Sequence, residues 1–332
     1  MLFLHIGRGK AGSSTIQHFM FHHQAFLREH GVHPVLDRRD HPRPLRIAQR
    51  FGRRGQAADG TLEAFRQDIG RAAVSVIASS EAFFDIDGEA IDDLREVIGE
   101  VPVRVLVYLR DYASWLPSTY MQHMKMERLF VGFDEYFVRK SNEASALPAI
   151  ERWAGAFGWS SLSIRNLAGE DLVEGDLIHD LCAQLGVGAA APPFRRINVA
   201  LPWWILELAR ALYGAVDDYP EPARERIRGE ITASLKGLGA WATIDGAPSC
   251  PTAQYATAAQ LEDLSRRYQD DLATLRALTG CRLEHRPPES RERPFAPHIR
   301  HVPPELLHGA HRGLPAGVSP GLRELVARQV GL

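Results

Sequence analysis

The sequence contains only three cysteines, Cys182, Cys250 and Cys281, which stand far apart with no C-x-x-C pair among them. An odd number without close spacing argues against a disulfide framework and against a zinc site. No run of about eighteen apolar residues occurs, so no membrane span is expected. The chain does not open on a basic segment followed by a long apolar one, which predicts no signal peptide and a cytoplasmic location.

A strong charge of either sign is also missing. The formal net charge is −2 over 332 residues, of which 45% are hydrophobic and 24% charged. This near-neutral balance argues against non-specific binding of nucleic acid by the whole protein. Length and composition predict an ordinary globular protein with one sizeable α/β core and some additions.

The first stretch of the chain combines a strand with a glycine-rich loop. The apolar residues 2–6 lead into Gly7-Arg8-Gly9-Lys10-Ala11-Gly12-Ser13-Ser14-Thr15, and a helical pattern follows. Glycines let the backbone approach an anion closely, a helix start adds its dipole and N–H groups, and Lys10 adds positive charge. The loop therefore predicts a dianion site. A turn that only joins strand to helix is the alternative, and the loop alone does not decide between them.

The loop differs from that of nucleotide hydrolases, in which lysine follows the last glycine and precedes serine or threonine. Here Lys10 comes before Gly12, and Ser13 follows that glycine directly. A second signal is needed to assign the loop.

Beyond the loop, apolar strands alternate with amphipathic helices. After the first strand at 2–6, strands are predicted at Val32–Leu36, Val74–Ser80, Val101–Leu109 and Leu162–Arg165. Helices are predicted at Ser14–Glu29, Thr61–Ala73, Asp85–Glu100, Tyr112–Met126, Phe133–Arg139, Pro148–Gly158, Asp171–Gly186, Pro202–Val216, Pro222–Leu238, Thr257–Thr279 and Leu322–Val330. This alternation is typical of an α/β three-layer sandwich with a central parallel sheet.

The small and proline residues at 189–193 form the clearest linker. They predict an α/β core at 1–190 and a mainly helical C-terminal portion at 191–332 that is continuous with the core. The segments 37–60 and 286–317 are rich in Pro, Arg and His. We expect a long loop or an irregular helix at 37–60 and a loop or lid at 286–317.

The second anion signal follows the strand at Val101–Leu109. Arg110 ends that strand, and Ser118 comes eight residues later on the next helix. A guanidinium offers a planar fork to phosphate oxygens, and a serine hydroxyl can donate to the same group. Ligands of parallel sheets lie beyond the carboxyl ends of the strands, where Lys10, Glu81 and Arg110 are all expected.

These motifs resemble those of sulfotransferases that use 3′-phosphoadenosine 5′-phosphosulfate (PAPS). Residues 4–17 are similar to the family's 5′-phosphosulfate loop and residues 110–118 to its 3′-phosphate motif. With Ser79-Ser80-Glu81 and Asn198-Val199-Ala200-Leu201, the resemblance covers roughly residues 1–215. It implies a P-loop NTPase-like, sulfotransferase-like fold, in which the helical C-terminal portion would shape the acceptor site.

The sequence also departs from the family pattern. Ser13 and Ser14 stand where the family usually has threonines, and Gly9 and Tyr112 where it often has prolines. The Arg-Lys-Gly adenine motif of the cytosolic eukaryotic branch is missing. These departures place the resemblance nearer to the bacterial carbohydrate or small-molecule enzymes.

The resemblance implies a role for each motif. Lys10 would neutralise charge on the bridging oxygen as the sulfuryl group transfers, and Arg110 with Ser118 would hold the 3′-phosphate and distinguish PAPS from ATP. The implied cofactor-binding set is Arg8, Gly9, Lys10, Ala11, Gly12, Ser13, Ser14, Thr15, Arg110 and Ser118. The product would be PAP, no metal is expected, and the acceptor would be a hydroxyl or amine of a carbohydrate or small molecule.

A base is needed to take the acceptor's proton. Glu81 is the first candidate, and a structural carboxylate that orients Lys10 or Arg110 is an equal alternative. His18 and His123 are further candidates. His18 and His22 have the spacing of metal ligands, but no third ligand is suggested, which favours solvent-facing or substrate-lining histidines.

Two other functions remain open at this stage. One is a nucleotide-dependent kinase with a related loop. The other is a non-catalytic protein that binds nucleotides or polyanions through the arginine-rich segment 38–54.

Overall fold

The computed structural model describes residues 1–36, 61–70, 74–126, 131–168, 171–188, 191–194, 202–242, 255–283, 302, 304–312 and 319–331. The segment 37–60, the first two residues of the linker (189–190), the motif at 198–201 and residues 286–301 and 313–317 lie outside this set. The chain forms two compact units. The first comprises residues 1–115, 144–199 and 266–285, and the second comprises residues 116–143, 200–265 and 286–332. The predicted division after residue 190 stays a prediction.

The first unit is built on a parallel sheet of five strands, as the sequence predicts. The strands are β1 (Leu2–His5), β2 (Val32–Pro34), β3 (Ser75–Ser79), β4 (Val103–Leu109) and β5 (Leu162–Asn166). Their spatial order is β2-β3-β1-β4-β5, and every neighbouring pair is parallel. The α/β class is therefore confirmed.

Helices make up most of the remaining described structure. They are α1 (Ser13–His22), α2 (Gln24–Glu29), α3 (Thr61–Ile69), α4 (Gly88–Ile98), α5 (Tyr112–Met126), α6 (Phe133–Lys140), α7 (Leu147–Phe157), α8 (Leu177–Gln184), α9 (Trp203–Ala215), α10 (Ala223–Ala242), α11 (Ala258–Arg267), α12 (Gln269–Thr279), α13 (Pro304–Arg312) and α14 (Pro320–Val330). In the part of the chain that the structure describes, none has both the length and the apolar character to cross a bilayer.

Both faces of the sheet are buried, which explains the nearly continuous apolar strands. Successive residues Leu2, Phe3 and Leu4 are all buried, as are those of 105–109. Side chains alternate between faces along a strand, so two covered faces require apolar residues at every position. The burial pattern is compatible with three layers.

One face packs on α1 and α8. Phe3 and Tyr108 from the sheet share a single buried cluster with Phe19 of α1 and Leu181 of α8. The hydroxyl of Tyr108 donates to Asp180 at 2.8 Å, and Arg165 donates to the same carboxylate. Asp180 is completely buried, and these donors satisfy a charge that would otherwise be costly to bury.

The second unit has its own buried polar centre. Glu207 on α9 is 1% exposed and pairs with Arg210 at 2.8 Å. Aromatic rings cluster in the same unit. The centroid of the Tyr120 ring lies 5.1 Å from that of Tyr136 and 5.1 Å from that of Tyr255. The described helices of this unit include α13, so the loop predicted at 286–317 is wrong at 304–312. Proline is tolerated in a first helical turn, and Pro304 begins this helix.

Two predicted helices are each broken in the structure. The segment Ser14–Glu29 breaks at His23, where φ is −115° and ψ is 32°. The segment Thr257–Thr279 breaks at Tyr268, whose ring packs edge to face on Tyr112 with 5.2 Å between centroids. Apolar residues on both sides of His23 enter the same core cluster. The periodicity therefore continues across the break, and neither segment contains a proline or glycine to signal it.

Candidate functional site

The order in which the chain visits the strands reverses direction between β1 and β4. From β1 the chain passes to β2 at one edge and back to β3, and from β3 it passes across β1 to β4 and on to β5. The connections that leave β1 and β4 therefore run in opposite directions. Adjacent parallel strands of this kind define a topological switch point, where open α/β sheets bind ligands. Residues 6–12 follow one strand and Arg110 follows the other.

The register fixes how these two segments meet the sheet edge. His5 pairs with Leu106, and the amide of Ile6 donates to the Leu106 carbonyl at 3.1 Å. The glycine-rich loop thus begins alongside the last residues of β4, and Arg110 follows directly after Leu109. The predicted proximity of Lys10 and Arg110 at one edge of the sheet is consistent with this pairing.

The loop has an unusual backbone at three positions. Gly7, Lys10 and Gly12 have φ values of +40°, +70° and +90°. A Cβ at Gly7 would come within 2.7 Å of Ser13 Oγ, and one at Gly12 within 2.5 Å of Leu177 Cδ2. Glycine is thus required at both positions, for space as well as conformation. A Cβ at Gly9 would meet nothing within 4 Å, so this glycine faces open space.

The loop ends at the N-terminus of α1, which carries no capping side chain. Gly12 is the N-cap residue, no side chain accepts from the first amides, and the first turn has no acidic residue. Ser13 is buried and its hydroxyl has no hydrogen-bond partner in the protein. The positive end of a helix, an unpartnered buried hydroxyl and the neighbouring Lys10 together suit an anion. Ser14 and Thr15 lie in the same first turn.

His5 lies beneath the loop and is neutral. Its Nδ1 is 2.8 Å from Ser79 Oγ, and complete burial lowers its pKa to about 3. The other ring nitrogen and the amide nitrogen of Gln17, one turn after Ser13, also have no partner in the protein. The side chains of His5 and Gln17 carry no charge. They therefore do not compensate the partial positive charge at the N-terminus of α1.

Arg110 leads directly into α5. Asp111 Oδ1 accepts from the Ser114 amide at 2.9 Å and caps this helix. Ser118 is buried on α5, in the part of the helix that belongs to the second unit. Glu81 is exposed and follows β3 in a short 3-10 helix. Since β3 pairs with β1, Glu81 lies at the same edge of the sheet as the loop.

The remaining candidates have different surroundings. His18 on α1 stacks on His22, with 5.9 Å between ring centroids. His123 belongs to the second unit, where its Nδ1 is 3.0 Å from the hydroxyl of Tyr136. In the described ranges, no three His, Cys, Asp or Glu side chains are arranged to hold a metal ion.

Two contacts at the loop involve residues whose roles the sequence does not reveal. Arg8, placed among the anion ligands by resemblance, is 5% exposed and donates to the carbonyl of Ala144 at 2.6 Å. The indole of Trp115 donates to the carbonyl of Gly9 at 3.1 Å. The sequence gives no sign of this second contact beyond the position of Trp115 between Arg110 and Ser118.

No family model matches this sequence, and no curated protein is significantly similar to it. What the site can bind must therefore follow from its residues and geometry.

The glycines of the loop provide a matched set of variants. We expect Gly7→Ala and Gly12→Ala to lower the free energy of unfolding by about 1–3 kcal/mol each, because left-handed φ and a close contact both oppose a methyl group. Gly9→Ala is the control and should change stability by no more than about 0.5 kcal/mol. Urea unfolding measures all three. Equal losses of unfolding free energy at the three positions would contradict the positive φ values and close contacts of Gly7 and Gly12.

The burial of His5 predicts a pH dependence of stability. Its pKa falls from 6.5 to about 3 on folding. Between these two pH values, His5 is therefore protonated in the unfolded chain and neutral in the folded protein. Between pH 7.5 and 5 we expect wild type to lose roughly 2 kcal/mol more than His5→Gln, which cannot titrate there. Urea midpoints at the two pH values measure the difference. Parallel losses in both proteins would show that His5 is protonated in the fold.

Proposed function

We propose that this protein is a sulfotransferase that transfers a sulfuryl group from PAPS to a hydroxyl or amine of a carbohydrate or small-molecule acceptor. One observation carries the proposal: the glycine-rich loop and Arg110 follow adjacent parallel strands, β1 and β4, at a topological switch point. Two anion-binding segments at one sheet edge suit a ligand with phosphates at both ends.

The loop residues fit the 5′ end of such a cofactor. The uncapped amides of α1, the hydroxyls of Ser13 and Ser14 and the ammonium of Lys10 would hold the phosphosulfate. Arg110 would hold the 3′-phosphate through its planar fork, and the family resemblance assigns Ser118 to the same phosphate. The P-loop-like identity of the fold belongs to this proposal.

When bound, PAPS supplies an activated sulfuryl group, and its transfer to the acceptor leaves PAP. The protein's contribution is then mainly positioning and charge stabilisation. Lys10 would stabilise the negative charge that grows on the bridging oxygen. Glu81, exposed at the end of β3, would take the acceptor's proton. His18 and His123 are the further candidates for that role.

The order of residues in the loop favours sulfuryl over phosphoryl transfer. In nucleotide hydrolases the Lys-Ser/Thr pair after the last glycine places a hydroxyl on magnesium. Here Lys10 precedes Gly12, and Ser13 comes directly after it. The magnesium-binding pattern is therefore not present in this loop.

Calorimetry tests the choice of nucleotide. We expect PAP to bind without magnesium and more tightly than ATP, because Arg110 recognises the 3′-phosphate that ATP lacks. Titrations of both nucleotides, each with and without magnesium, measure this. Tighter, magnesium-dependent binding of ATP would favour the kinase. If PAPS stays intact with every acceptor of a panel in a radiolabelled-sulfate transfer assay, the result would favour a non-catalytic binder.

Variants of Lys10 and Arg110 separate chemistry from binding. Lys10→Ala and Lys10→Gly should each lower the transfer rate by at least about 10²-fold, because the charge on the leaving oxygen is no longer stabilised. Lys10→Gly also relieves the positive φ, so its stability should equal or exceed that of wild type. Arg110→Ala should weaken PAP binding by about 10- to 100-fold through loss of a charged hydrogen bond.

The control for Arg110 is Arg104→Ala, which removes an exposed arginine near the other end of β4. Its PAP affinity should match that of wild type. Wild-type transfer by the Lys10 variants would refute the role of the ammonium group. Equal PAP affinity of Arg104→Ala and Arg110→Ala would refute the 3′-phosphate assignment.

A further inference from the structure

Arg8 and Trp115 form a stacked pair against the glycine-rich loop. The guanidinium carbon of Arg8 lies 3.6 Å from the centroid of the Trp115 ring, and the rings of Phe84 and Tyr112 stand 5.8 Å and 5.9 Å away. The Trp115 indole also donates to the carbonyl of Gly9. Two consecutive loop residues, immediately before Lys10, are thus held by one tryptophan.

We propose that Arg8 and Trp115 are positioning residues, which hold the loop in its anion-binding conformation, and that Arg8 is not itself a ligand of the anion. The role of this pair in cofactor binding rests on the proposed function, whereas its role in holding the loop does not. Both residues lie in the first unit.

The backbone of the loop explains why such a pair is needed. Lys10 is not a glycine, yet its φ is +70°, and such a conformation persists only where the surroundings hold it. The contacts of Arg8 and Gly9 fix the two residues that lead into this strained position. With them in place, the backbone can keep Lys10 and the first amides of α1 directed at one anion.

The surroundings of Arg8 favour this role over direct binding. Its guanidinium is 5% exposed, stacks on an indole face and donates to the Ala144 carbonyl. Burial also lowers its pKa, to about 10, so Arg8 remains charged at neutral pH. Stacking and directed donation use the planar shape of arginine, which lysine lacks.

The position of Trp115 connects the two anion-binding segments. It lies five residues after Arg110 on α5, the helix that begins directly after the predicted 3′-phosphate residue. A shift of the first turn of α5 would therefore change the loop that is proposed to hold the other end of the cofactor.

Hydrogen exchange tests the loop-holding role without any ligand. The amide of Ala11 donates to the Arg8 carbonyl at 3.1 Å. In Trp115→Phe, which keeps a ring over Arg8 but loses the donor to Gly9, this amide should exchange about 3- to 10-fold faster. The matched control is Trp153→Phe, which removes an indole donor to the carbonyl of Phe83 in the same unit. Unchanged exchange of the Ala11 amide, or equal acceleration in the control, would overturn the proposal.

Ligand selectivity separates positioning from a general loss of structure. Trp115→Phe should weaken PAP binding by about 3- to 10-fold and leave adenosine 3′-phosphate, which lacks the 5′-phosphate, unchanged. Equal weakening of both ligands would overturn the proposal.

The Arg8→Lys variant shows whether the loop depends on the positive charge of Arg8 or on its planar shape. Arg8→Lys keeps the positive charge but loses stacking, so the exchange rate of its Ala11 amide and its PAP affinity should match those of Arg8→Met. Wild-type exchange in Arg8→Lys, together with weaker binding only in Arg8→Met, would make Arg8 a direct ligand and overturn the proposal. If wild type fails to bind PAP, the proposed function fails, and the exchange measurements still decide whether the pair holds the loop.

Discussion

β1 is the constraint on which the candidate site depends. It is hydrogen-bonded to β3 on one side and to β4 on the other, so everything that leaves these three strands meets at one edge. The strand is short, and all four of its residues are buried. Its side chains alternate between the two covered faces of the sheet. The loop, Glu81 and Arg110 are brought to the same edge because they directly follow the three strands.

The first turn of α1 contains no acidic residue that would compensate the positive end of this helix. The start of α1 lacks a capping side chain, and the buried Ser13 hydroxyl has no partner in the protein. His5 below it is neutral because burial lowers its pKa to about 3. The guanidinium of Arg8 stacks on the Trp115 ring and donates to the Ala144 carbonyl. Lys10 and the end of α1 therefore define the positive side of the loop.

The sequence predicted strands better than the ends and breaks of helices. The central strands were found because β-branched runs bounded by turn residues are local signals. The breaks at His23 and Tyr268 were missed, since apolar residues continue on both sides of them. The helix at Pro304–Arg312 was missed because its Pro, Arg and His content resembles that of a loop.

Local sequence is enough to specify the chemical groups of the loop, because glycine, lysine and serine act through local backbone freedom, charge and hydroxyl groups. It also specifies that Arg110 follows a buried strand. The adjacency of β1 and β4 came from the fold, since strand order depends on which buried faces pack together over long separations. The fold likewise decided that Trp115 reaches Gly9, a contact between residues 106 positions apart that no local pattern specifies.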